Sequence, residues 1–171
     1  MNGWVGGVIA LFGVLVGGGI THISAMWRAQ QERQWEVVRH KRDKLEELSI
    51  VLDEFENRYR EISGSALLTL EKGQPMQLTG SRIPTARLTT LIEFYAPELV
   101  AKKKELDILT ESYGELLVKV IKSSPLDSPS KLQLMEKVLL GHKGIEDKCR
   151  DLTSHAAKIV QCEVSSESSN K

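Results

Sequence analysis

From Leu45 onward the apolar residues fall at alternating steps of three and four. Leu45, Leu48, Leu52, Phe55, Tyr59, Ile62 and Ala66 trace one stripe, and Val38 extends it back by seven. That spacing keeps side chains on a single helical face and predicts a helix packed against other helices. Before Val38 the equivalent positions are Gln31 and Gln34, so residues 28–37 read as a solvated stalk or a headgroup-level segment, not a core. A loop is expected over 73–84, where Gly73, Pro75, Gly80 and Pro84 fall together. Leu88, Leu91 and Ile92 predict a short helix from Thr85 to Tyr95. Pro97 then suits the first turn of the next helix, whose stripe is Leu99, Leu106, Leu109, Tyr113, Leu116 and Val120. After a second loop at 123–130, Ser128 is placed as an N-cap and Pro129 as the first helical residue. The last helix, to about Gln161, carries Val138, His142, Ile145, Cys149, Leu152, Ala156 and Ile159. No run of alternating apolar residues predicts a strand. The expected fold is all-α, an N-terminal transmembrane helix continuing into an antiparallel helical bundle.

The transmembrane element comes from the first 27 residues, which hold no charge at all. Trp4 to Ile23 is a run of 20 residues whose only strongly polar members are Thr21 and His22. A helix of that length spans ~30 Å, the hydrocarbon thickness of a bilayer. Trp4 and Trp27 flank it as interfacial aromatics do. Seven glycines between Gly3 and Gly19 suit a membrane helix better than a water-soluble one. Residues 1–27 are therefore expected to span, 28–44 to form a basic juxtamembrane helix, 45–162 a cytoplasmic bundle, and 163–171 a disordered tail.

Charge refines this picture. The chain balances 23 Lys and Arg against 23 Asp and Glu. Within 28–44, however, six bases (Arg28, Arg33, Arg39, Lys41, Arg42 and Lys44) face three acids. No base precedes the span, so the positive-inside rule places the N-terminus outside and the bundle in the cytoplasm, at the cytoplasmic (inner) membrane. The same six residues are the candidates for topology and for contact with anionic lipid. Small residues Gly6, Ala10, Gly13, Gly17, Thr21 and Ser24 share one face of the span, and Gly3–Gly7 and Gly13–Gly17 are each G-x-x-x-G. Such a face lets two membrane helices approach closely, so Gly6, Ala10, Gly13, Gly17 and Thr21 are the candidates for helix association and a homo-oligomer.

Candidate chemistry is sparse. Cys149 and Cys162 stand 13 apart, and Cys149 falls on the apolar stripe as a core residue. His22, His40, His142 and His155 form no H-x-x-H, H-E-x-x-H or E-x-x-H pattern. His142 with Glu146, and Asp151 with His155, are surface-type i, i+4 pairs. No phosphate-binding glycine motif occurs, and Lys102–Lys104 lacks aromatic interleaving and is followed by acids. No catalytic, metal or cofactor residues are assigned, and no nucleic-acid partner is expected.

A Gly-rich span, then Trp27–Arg28, Glu32–Arg33–Gln34–Trp35–Glu36, Arg39 and Arg42, and the broken-helix stretch Phe94–Leu99 together resemble small bacterial single-pass membrane proteins. The resemblance covers most of residues 1–120. It implies a fold and a location, not an activity. Some such proteins look like accessory or effector genes of mobile elements and phage-defence loci. The expected function is a membrane-anchored, non-enzymatic helical interaction protein with the bilayer and an unidentified cytoplasmic protein as partners. The alternative is a membrane-perturbing effector or toxin.

Overall fold

No proline interrupts residues 3–72, and the first helix, α1, runs for 70 residues, Gly3–Lys72. The computed structural model describes the backbone of residues 3–76, 82–122 and 128–168, and side chains for 25–76, 82–122 and 128–162. Helix α1 ends at Gly73, whose φ of +66° is the left-handed conformation that glycine adopts without a Cβ penalty. The N–H of Gly73 still donates to the Thr69 carbonyl at 2.9 Å. Gly64 does not interrupt the helix. The short helix α2 spans Thr85–Tyr95, as the periodicity predicts. A 3-10 turn, Pro97–Leu99, leads into α3, Val100–Lys122. Proline sits at the start of that turn, where its missing N–H is not needed. Helix α4 runs Ser128–Ser168. No strand occurs among the described residues.

The chain divides into two units, residues 1–41 and 42–171. In the first, residues 25–37 are all exposed, and Val38 and Lys41 are half-buried. Residues 28–37 thus contribute nothing to the core.

The second unit is a helical bundle. Ser63 on α1 meets Tyr113 on α3, and Tyr59 meets Thr110, so these two helices run parallel. Lys102 pairs with Asp151, and Lys148 with Glu105, so α4 runs antiparallel to α3. Arg87 at the start of α2 reaches Glu47 at 2.8 Å. The core holds Leu45, Leu48, Val51, Leu52 and Phe55 of α1, Leu88, Leu91 and Ile92 of α2, Leu106, Tyr113 and Val120 of α3, and Val138, Ile145, Cys149, Leu152 and Ala156 of α4.

Three expectations change. The α1 stripe passes from Tyr59 to Ser63, not Ile62: Ser63 is buried and Ile62 is only half-buried. A straight α-helix has 3.6 residues per turn, so a strict 3.5 repeat drifts off the face and a second four-residue step restores it. Helix α4 continues past Gln161 to Ser168, so the disordered tail proposed for 163–171 is helical through Ser168; no Pro or Gly follows Gly144 to stop it. Residues 169–171 lie outside the described residues. The second unit begins at Arg42, three residues before the predicted boundary at 45, while the first buried core residue is Leu45.

Among the described residues no helix is long and apolar enough to cross a membrane. The side chains of Trp4–Ile23, which carry the expectation of a span, lie outside the described residues, although their backbone is part of α1.

Candidate functional site

The candidate residues fall into three groups. Gly6, Ala10, Gly13, Gly17 and Thr21 belong to the helical backbone of α1, and their side chains lie outside the described residues.

The six bases divide between the two units. Arg28, Arg33 and Arg39 in the first unit are exposed and make no ion pair among the described residues; Lys41 is half-buried. Arg42 and Lys44 in the second unit each make an ion pair within α1. Arg42 Nε donates to Glu46 at 3.0 Å and Lys44 Nζ to Glu47 at 2.8 Å. Glu47 also accepts from Arg87, which ties α2 to α1. Lys44 and then Arg87 hold the Glu47 carboxyl below its usual range, and Glu47 holds the Lys44 ammonium above its own. The Arg42–Glu46 and Lys44–Glu47 pairs are local to α1, four and three residues apart; the long-range member is Arg87, 40 residues from the Glu47 it grips.

The third group is internal, and the sequence reading missed it. Ser63 donates to the Tyr59 carbonyl at 2.6 Å. Its single proton is thereby used, so the Tyr113 hydroxyl is the donor in the 2.5 Å contact between Tyr113 and Ser63. One turn away, Thr110 donates to the Asp107 carbonyl at 2.9 Å, and the Tyr59 phenol lies near Thr110. The two rings lie 6.0 Å apart, and burial raises both phenols above their ordinary pKa. Gly141 of α4 closes this layer: a Cβ there would stand 2.5 Å from Tyr113 Cδ2. The signal available in the sequence was a tyrosine at a seam position of both α1 and α3.

None of this is catalytic geometry. Burial pushes the Cys149 thiol up to about 12, so it stays protonated at neutral pH and is no nucleophile. Cys162 is exposed. His142 Nε2 is buried without a hydrogen-bond partner among the described residues. His155 Nδ1 lies 2.9 Å from the Asp151 carbonyl, a helix-surface contact within α4. No three His, Cys, Asp or Glu among the described residues converge as metal ligands.

No family model matches the chain, and neither a curated protein nor a solved structure does.

Proposed function

We propose that the chain is a membrane-anchored, non-enzymatic interaction protein of the cytoplasmic (inner) membrane, with its N-terminus outside and its helical bundle in the cytoplasm. One observation carries the reading: a charge-free stretch of 27 residues is followed directly by six bases in 28–44. The unbroken helical backbone of α1 from Gly3 to Lys72 supports it, because a spanning segment must satisfy its own backbone groups. So does the exposure of Trp27, Arg28, Arg33, Trp35 and Arg39, residue types suited to the interface and to anionic headgroups. The small-residue face at Gly6, Ala10, Gly13, Gly17 and Thr21 would let copies associate in the bilayer. The bundle offers partners a charged helical surface. The loose similarity to small bacterial single-pass membrane proteins agrees with this placement.

Cys162 supplies the test. It is exposed near the end of α4, whereas Cys149 is buried. An impermeant maleimide added to intact cells should leave Cys162 unlabelled and should label it after lysis. Labelling in intact cells overturns the orientation, and recovery of the chain from the soluble fraction overturns the anchor. Loss of membrane potential on controlled expression would replace the interaction reading by the membrane-perturbing one.

A further inference from the structure

Leu139 and Leu140 sit off the core stripe of α4, 54% and 61% exposed, with Leu132 at 67% one heptad earlier. Glu136 and Lys143 occupy the same outward face, exposed and without ion-pair partners among the described residues. Farther along α4, by contrast, Glu146, Arg150, Lys148 and Asp151 are all paired. An apolar centre flanked symmetrically by one unpaired acid and one unpaired base has a specific self-complement.

Glu136 lies three residues before Leu139, and Lys143 three residues after Leu140. If two copies of α4 are laid antiparallel about a two-fold axis between Leu139 and Leu140, Leu139 of one falls opposite Leu140 of the other. Glu136 then falls opposite Lys143, twice. Leu132 falls opposite Asp147, whose carboxylate points toward Arg150 at 3.9 Å. The overlap from Leu132 to Asp147 is ~22 Å of helix, at the 8–10 Å interaxial distance usual for packed helices. A parallel pairing of the same faces would set Glu136 on Glu136 and Lys143 on Lys143, which like charges disfavour. A two-fold contact must be self-complementary, and only the antiparallel one is.

We propose that the outward face of α4 is a homotypic docking surface on which a second copy of this chain binds antiparallel about Leu139 and Leu140, with Glu136 and Lys143 exchanging ion pairs. The surface belongs to the bundle; because α4 runs antiparallel to α1, this pairing also sets the bundle portions of α1 antiparallel, so it is an alternative to association through the small-residue face of α1. A single helix pair is a small interface, so the association is weak.

The test uses the full-length chain in detergent micelles, in a Cys162→Ser background. Reduced Glu136→Cys and Lys143→Cys chains are oxidised each alone and as an equimolar mixture. The expected result is a mixed disulfide several-fold more abundant than either homodisulfide. Homodisulfides dominating, or no disulfide at all, overturns the proposal. Charge reversal gives a second readout by sedimentation. Glu136→Lys and Lys143→Glu should each lower the dimer fraction at least fivefold, and the double reversal should restore it. Singles that dimerise normally, or a double that does not recover, overturn it. Dimers abolished by Gly13→Ile with Gly17→Ile yet indifferent to charge reversal would assign the contact to α1 instead.

Discussion

Gly141 is the position where the packing can be tested most sharply. Replacing a mid-helix glycine by alanine ordinarily stabilises a helix by roughly 0.5–1 kcal/mol, through backbone entropy. At Gly64 nothing lies within 4 Å of where the new methyl would go, so Gly64→Ala should show that gain. At Gly141 the methyl would stand 2.5 Å from Cδ2 and 2.9 Å from Cε2 of Tyr113. That ring is only 2% exposed and is tethered through its hydroxyl to Ser63, so it cannot swing away as a flexible side-chain tip would. Overpacking of this kind costs about 1–3 kcal/mol, which outweighs the helical gain. Gly141→Ala should therefore be destabilising by roughly 1–2 kcal/mol, and differ from Gly64→Ala by about 2 kcal/mol or more. Gly144→Ala is the intermediate case: its methyl would meet Leu109 Cδ2 at 3.2 Å, and a leucine tip can rotate. The assay is thermal unfolding of the full chain followed by circular dichroism. The expected order of Tm is Gly64→Ala, then Gly144→Ala, then Gly141→Ala, with the last below the unaltered protein by on the order of 5 °C. In a Tyr113→Leu background the Gly141 penalty should vanish. If Gly141→Ala raises Tm as much as Gly64→Ala does, the ring is not held as described and the reasoning fails.

Three further outcomes follow from the same geometry. Ser63→Ala leaves the buried Tyr113 hydroxyl without a partner and should cost about 1–3 kcal/mol, while Tyr113→Phe leaves Ser63 still bonded to the Tyr59 carbonyl and should cost less; denaturant midpoints that rank them the other way contradict the proton assignment. In the folded protein at pH 8, a thiol reagent should modify Cys162 quickly and Cys149 only on unfolding, because Cys149 is buried with its thiol pushed up to about 12; equal rates would refute its placement in the core. Lys44 lowers Glu47, Lys148 lowers Glu105 and Lys102 lowers Asp151, so these folded carboxyls titrate below their unfolded values. Their contribution is complete above the unfolded carboxylate range and is lost as pH falls through the folded pKa values; Tm should decline on acidification below about pH 4.5, modestly because the pairs are exposed and screened by salt, and a Tm flat down to pH 2 would count against them.

Much of the fold was legible because apolar periodicity is a local signal. Thr85–Tyr95 was bounded correctly from three apolar positions and two prolines. The heptad positions Leu99, Leu106, Tyr113 and Val120 were placed in the core, where they are buried. The misplacement of Ile62 had a physical origin: a serine is read as solvent-facing unless its hydroxyl has a partner, and that partner, Tyr113, lies 50 residues on. The candidate residues were less legible for the same reason. Arg42 and Lys44 looked like further members of a basic run, but Lys44 is held by a carboxylate that a third residue, Arg87, also grips. The Lys44–Glu47 contact lies within one turn, but nothing in that window shows that Arg87 joins it.

The Tyr113–Ser63 hydrogen bond also bears on motion. Leucine seams are forgiving of axial slippage, since one layer of methyls resembles the next. Sliding α3 past α1 by one turn, ~5.4 Å, would carry Tyr113 and Ser63 apart. The tyrosine would then face an apolar layer with its hydroxyl unsatisfied, at about 1–3 kcal/mol. The pair thus acts as a detent: it sets one phase of α1 against α3, and a bundle of otherwise interchangeable layers is held to a single length.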